Sequence, residues 1–156
     1  MKTFEGSHAA PTGRFAVIAS RFNQSVVDHL VEGAKEGFKS GKVAEDSIDL
    51  IWVPGSFEIP LVAKRLATGG KYAAVVCLGA VIRGDTDHYE YVASEAARGV
   101  AEASMTTGVP VIFGILTCQT EEQALDRAGG KEGNKGYDAA LAAIEMVNLL
   151  PKLPGK

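Results

Sequence analysis

The sequence predicts an α/β protein, a three-layer α/β/α sandwich around a four-stranded parallel sheet. Two observations carry that reading. Apolar runs of strand length alternate with stretches of helical period, the pattern of successive βαβ units. The runs themselves, Phe15–Ser20, Ile48–Val53, Tyr72–Gly79 and Val109–Leu116, are almost continuously Val, Ile, Ala and Leu, as strands covered on both faces should be. No repeat, linker or low-complexity stretch interrupts the alternation, so residues 1–156 read as a single domain large enough for a real core.

Each element has its own signal. After Phe15–Ser20, a helix places Val27, Leu30, Val31, Ala34 and Phe38 at helical spacing and ends at Gly41. After Ile48–Val53, a second helix follows Ser56 and tolerates Pro60, because the proline lies close to its first turn. Tyr72–Gly79 leads to a third helix, where Asp87 and Glu90 stand at capping-box spacing and Val92, Ala96, Val100 and Ala103 form one face. Its small side chains allow close packing. Val109–Leu116 is followed by a short helix near Thr120, with Gln123 three residues on. A last helix runs from about Asn134 to Leu150, where Pro151 stops it.

Composition excludes several functions. Sixteen Lys and Arg against nineteen Asp and Glu give a formal charge of −3, with no basic run, so nucleic acid is not an expected partner. Cys77 and Cys118 lie in or after apolar strands and form no metal-ligand spacing, which reads as buried reduced thiols and no metal site. No apolar run approaches the roughly 20 residues of a membrane span, and the N-terminus lacks the basic-then-apolar pattern of a leader. The expectation is a soluble, cytoplasmic protein without membrane contact.

The richest stretch is Gly79-Ala-Val-Ile-Arg-Gly-Asp-Thr-Asp-His-Tyr-Glu90, where a strand ends, a glycine turns the backbone and a helix begins at once. The first turn of a helix leaves N–H groups unpaired and carries the positive end of the macrodipole, so the junction suits a phosphate. Thr86 adds a hydroxyl donor and His88 an acid/base group. In an open parallel sheet, ligands bind outside the carboxyl ends of the strands. Phe22 and Ser56 to Glu58 follow the first two strands, and Ala80 to Ile82 with Asp85 to His88 follow the third, so sequence-distant motifs converge on one edge.

Gly79 to Gly99, together with Arg21-Phe22-Asn23, Val53-Pro-Gly-Ser-Phe-Glu-Ile-Pro60 and Gly133-Asn-Lys-Gly136, resembles the lumazine synthase family in motif order and spacing. The likeness spans essentially residues 14–150. It implies flavodoxin-like layering with sheet order 2-1-3-4, and condensation of 5-amino-6-(D-ribitylamino)uracil with 3,4-dihydroxy-2-butanone 4-phosphate. The products would be 6,7-dimethyl-8-ribityllumazine, phosphate and water, the penultimate step of riboflavin biosynthesis, with no metal or organic cofactor. The resemblance assigns proton transfer to His88 and the pyrimidine and ribityl chain to Phe22, Asn23, Ser56, Phe57, Glu58, Ala80, Val81, Ile82 and Phe113. Gly84, Asp85, Thr86 and Arg127 would hold phosphate, while Lys135 and Asp138 match positions in the same subunit-facing region. Phe113 and Arg127 would serve a neighbouring subunit's site, implying a homopentamer. Residues 1–13 would form an arm, with Thr3 to Ser7 adding a strand to the next subunit. The short connection from Arg127 to Asn134 is similar to that of members whose pentamers close into icosahedral capsids, with riboflavin synthase a candidate associate.

Each residue also has a plainer role. Phe22 at a strand end and Phe113 within a strand suit core packing, Glu58 near a helix start suits the dipole, and Ala80 to Ile82 suit the tail of a buried strand. His88 and Arg127 suit a solvated surface, and His8 and His29 have no surroundings that suggest more. Asp85 and Asp87 should repel an anion unless the Asp85 N–H points inward while Asp87 caps its own helix. Two other classes share the layering. A phosphosignalling receiver would want acidic residues where Arg21-Phe22-Asn23 stands and an aspartate in place of Ala80-Val81-Ile82. A non-catalytic flavin- or lumazine-binding protein would use the same pocket without turnover.

Overall fold

A computed structural model describes residues 1–155. The sheet has four parallel strands, β1 (Arg14–Ser20), β2 (Ile48–Val53), β3 (Tyr72–Ile82) and β4 (Val111–Cys118), in the order β2-β1-β3-β4. Helix α1 (Gln24–Ser40) and the C-terminal helices α4 (Glu121–Arg127) and α5 (Lys135–Leu149) cover one face. Helices α2 (Ile59–Thr68) and α3 (His88–Thr107) cover the other. This is the expected three-layer sandwich. A small antiparallel hairpin, β5 (Ala128–Gly130) and β6 (Gly133–Asn134), joins α4 to α5.

Three strands differ from the sequence reading, β1 by a single residue, since it begins at Arg14. β4 begins at Val111 rather than Val109, because Pro110 has no N–H for the ladder and offers only its carbonyl, to Val75 N at 2.9 Å. β3 runs on to Ile82 rather than Gly79, because β4 pairs with it up to Ile82 and Cys118. Coverage on both faces holds for β1 and β3. The flanking strands are partly open, with Leu50 and Phe113 exposed. Asp49 on β2 accepts from Lys71, Tyr72 and Arg14, and Lys71 foremost holds its carboxyl well below the usual carboxylate range.

α1 and α5 meet closely because glycines stand at their contact. α1 and its C-cap present Gly33, Gly37 and Gly41 toward Asn134, Tyr137, Ala140 and Ile144 of the α5 segment. In return Gly136 sits on α1 so tightly that a Cβ there would stand 1.9 Å from the Leu30 carbonyl oxygen. Asn134 locks this contact. Its Oδ1 accepts from the N–H groups of Gly136 and Tyr137 at 2.8 and 3.2 Å, capping α5, while its Nδ2 donates to the His29 carbonyl at 3.0 Å. On the opposite face Pro60 lies in the first turn of α2, as expected, and touches Gly99 of α3.

Residues 1–13 form no strand in this chain; they lie along α5, with Asn148 Nδ2 donating to the Ser7 and Ala9 carbonyls, both at 2.9 Å. His8 pairs with Glu145 at 3.5 Å.

The α1–α5 contact yields a stability prediction. Gly136→Ala must push the helices apart and should cost about 1–3 kcal/mol in urea denaturation. Gly84→Ala, where nothing lies within 4 Å of the added methyl, should stay within about 0.5 kcal/mol of the parent.

Candidate active site

β1 stops pairing with β3 at Ala19 and Leu78, while β3 continues to Ile82. Ala80, Val81 and Ile82 therefore project past β1, and the chain leaving β1 has to turn beside them. It turns at Asn23, whose backbone is left-handed (φ 58°, ψ 41°), a conformation asparagine accepts more readily than most residues. Asn23 Nδ2 donates to the Ala80 carbonyl at 2.8 Å, replacing a ladder bond that β1 is too short to make. The Arg21 and Phe22 N–H groups donate to the Val53 and Pro54 carbonyls at 2.9 and 3.0 Å. The loops after β1 and β2 are thus fixed to each other and to β3.

Together they surround a cavity of about 440 Å³ lined by Phe22, Asn23, Pro54 to Glu58, Ala80 to Ile82, His88, Tyr91 and Val92. Phe22 is 72% exposed, Phe57 57% and Tyr91 68%. Phe22 is therefore not a core aromatic. It is an open ring at the mouth of the cavity, and stacking is what such a surface offers a flat ligand.

The floor and sides are polar at selected points. Ser56 is buried, and a Cβ on Gly79 would come within 2.5 Å of its Oγ and 3.0 Å of Ser20 Oγ, so only glycine lets both hydroxyls approach the strand. Glu58 closes a short 3₁₀ turn, Ser56–Glu58, its N–H donating to the Gly55 carbonyl at 3.2 Å, and its exposed carboxylate lies over Gly55. It is available to accept hydroxyls. Ala80 and Val81 are buried as strand residues and also line the cavity, so packing and binding share them.

The α3 end of the cavity departs from expectation in two ways. Asp87 and Glu90 do not form a capping box: the Asp87 side chain makes no cap bond, and Glu90 pairs with Arg83 instead. The Thr86 hydroxyl, one residue before the N-cap, accepts from the His88 N–H at 3.4 Å. Gly84, Asp85 and Thr86, expected in the site, do not line the cavity. They are exposed and form the loop between Ile82 and His88, both of which do line it. His88 is an exposed side chain in the first turn of α3, facing the same space as Phe22.

The remaining expected residues gather elsewhere. Phe113, Arg127, Lys135 and Asp138 line a second cavity of about 370 Å³ between β4 and α5. Phe113 is 44% exposed, so core packing is not its role either. Arg127 is half-buried, its Nη1 donating to the Gln123 carbonyl at 3.1 Å, and Lys135 stands 3.6 Å from Asp138. Cys118 and Cys77 are free buried thiols, both pushed up by burial, with Arg127 opposing the shift at Cys118. Sequence reasoning missed Tyr91. The signal was its position three residues after His88, which puts both on one face of a helix.

Comparison with known proteins is consistent along the chain. The family model of 6,7-dimethyl-8-ribityllumazine synthase matches residues 12–151. Curated sequences from two strains of Clostridium kluyveri, each named 6,7-dimethyl-8-ribityllumazine synthase, are 51% identical over 153 residues. That match covers 98% of this chain and 99% of each relative.

The Asn23 turn can be tested apart from any ligand. Asn23→Gly keeps the left-handed backbone and loses the bond to Ala80, at a cost of about 1 kcal/mol. Asn23→Ala loses both and should fall about another 1 kcal/mol. Equal stability of the two variants in urea titrations would remove the backbone part of this account.

Proposed function

This chain belongs to the 6,7-dimethyl-8-ribityllumazine synthase family, and from that premise we propose that it condenses 5-amino-6-(D-ribitylamino)uracil with 3,4-dihydroxy-2-butanone 4-phosphate. The product is 6,7-dimethyl-8-ribityllumazine, the penultimate intermediate of riboflavin synthesis. The observation that carries the reading is the convergence of Phe22, Glu58, Ala80 to Ile82 and His88 on one cavity.

The substrates contain the reactive groups. The pyrimidine 5-amino group attacks the ketone carbonyl and loses water to give an imine. A proton then leaves carbon 3 and phosphate departs from carbon 4, giving an enol that tautomerises: carbon 4 gains a proton to become a methyl group and carbon 3 becomes a carbonyl. The ribityl-bearing amine closes on the new carbonyl at carbon 3 and releases the second water. Since both nitrogen nucleophiles belong to the pyrimidine, no lysine Schiff base is required.

The protein's contributions are orientation, anion binding and proton transfer. Phe22 stacks on the pyrimidine, while Asn23, Ser56, Phe57, Glu58 and the backbone of Ala80 to Ile82 hold the ring and its ribityl chain. Gly84, Asp85 and Thr86 offer donors ahead of α3 to the phosphate, and His88 moves protons beside it. Arg127 clamps the phosphate with its two-pronged guanidinium.

Arg127 and Phe113 line a different cavity from His88 within one chain, which supports a site completed between subunits. In this reading β4, α4 and α5 of one subunit bring Phe113, Arg127, Lys135 and Asp138 to the Phe22 cavity of the next, in a homopentamer. Residues 1–13 leave α5 and add a strand to the open β2 edge of a neighbour, satisfying its unpaired groups. The short β5–β6 connection fits pentamers assembled into an icosahedral capsid, with riboflavin synthase, which consumes the product, as an associated enzyme in the cytoplasm. The whole chain acts as one domain.

His88→Ala should lower turnover by the order of 10–1000-fold and weaken pyrimidine binding much less, since positioning survives. Unchanged turnover across neutral pH in the folded variant removes His88 from proton transfer. Arg127→Ala should raise the KM for the butanone phosphate, and Glu58→Ala the KM for the pyrimidine; equal failure of both variants against both substrates would disprove that division. Sedimentation with electron microscopy at neutral pH tests assembly. Particles no larger than a pentamer reject the capsid, and an active monomer rejects the shared site.

A further inference from the structure

We propose that Arg83 is a positioning residue for the phospho-substrate: by holding the Glu90 carboxylate, it keeps the backbone donors ahead of α3 open to the phosphate. The inference rests on the reading of Gly84 to Thr86 as the phosphate site. Glu90 stands three residues after Asp87, where a glutamate ordinarily bends back to the N-cap N–H. Here it does not. Its carboxylate is bonded to Arg83 Nη2, and among the described residues the N–H groups of Gly84, Asp85, Thr86 and Asp87 meet no acceptor.

A carboxylate and a phosphate want the same thing from a helix N-terminus, unpaired N–H groups and the positive end of the dipole. Glu90 is thus a competitor built into the helix. Asp85 and Asp87 flank the same turn, and Arg83 is the only lysine or arginine between Ile82 and Glu90.

Arg83 is itself held from two sides. Its N–H donates to the Cys118 carbonyl at 2.9 Å, where β3 and β4 finish together. Its guanidinium carbon lies 5.1 Å from the centre of the Tyr89 ring, a cation–π arrangement. The strand end fixes the backbone and the ring fixes the head, so Glu90 is drawn toward Arg83 and away from the cap. Both partners are exposed, and exposed ion pairs contribute little to folding. The effect therefore belongs in substrate binding.

Steady-state kinetics on Arg83→Ala, Glu90→Ala and the double variant test this. Arg83→Ala should raise the KM for the butanone phosphate about three- to tenfold, with no matching rise for the pyrimidine. The inhibition constant of inorganic phosphate should rise in parallel. Glu90→Ala alone should stay within about twofold of the parent, because its carboxylate is already withdrawn. The double variant should return to the parent's KM. A double variant as impaired as Arg83→Ala means that Arg83 acts on the phosphate by itself, and a lowered KM in Glu90→Ala alone means that only net charge matters. Either result overturns the proposal. Thr86→Val tests the underlying site separately. If it leaves the butanone phosphate KM unchanged, the phosphate assignment fails; if it raises that KM while the double variant does not recover, only the role of Arg83 fails.

Discussion

β3 outruns β1, and the site depends on that difference in length. The two strands lie side by side at the centre of the sheet, yet the chain leaves β1 toward the α1 face and leaves β3 toward the α3 face. Loops that diverge from neighbouring strands open a crevice between them. Because β4 keeps pairing with β3 as far as Ile82, the overhang is rigid on one side and open on the other. Asn23 then closes the gap at a single point, the Ala80 carbonyl, and leaves the rest of the overhang facing the cavity. The precision of Phe22 and His88 is inherited from this arrangement: one follows the short strand and the other follows the long one.

The sheet order also explains why Ala80 and Val81 are small or branched and apolar while lining a cavity for polar ligands. Their side chains belong to the core, and what they offer outward is backbone. A strand that ends between two loops has donors and acceptors no neighbour can take. Specificity can then come from main-chain groups, and the side chains remain free to satisfy packing.

The architecture was legible because its signals are local and repeated. Strand-length apolar runs, Gly41 and Pro60 each bear on the few residues around them, and the structure keeps every element they announce, with the bounds of β3 and β4 shifted. What was not legible depends on contacts across the chain. The end of β3 is set by the register with β4, which no residue near Gly79 announces. Glu90 had two partners within reach, the N-cap and Arg83, and only the position of the β3 terminus decides between them. Gly33 and Gly37 look like weak points in a helix until α5 is placed against them. For the site, the motifs pointed to Phe22, Glu58 and His88 directly, but their separation from Phe113 and Arg127 is a matter of which face of the fold each occupies. Spacing along the chain carries no such information.

In the proposed function, exposed aromatics connect the site to assembly. Leaving Phe22, Phe57, Tyr91 and Phe113 open to water forgoes the stabilisation that burial of large rings supplies. Under the proposed function, that exposure in the isolated subunit is what a ligand or a second subunit would cover. A pyrimidine ring suits Phe22, whose neighbours are the loops of the cavity. Phe113 stands on an edge strand beside a separate, smaller cavity. A flat ligand held between two rings from different subunits satisfies both at once. On that reading, binding and association bury the same surfaces, and neither is complete without the other.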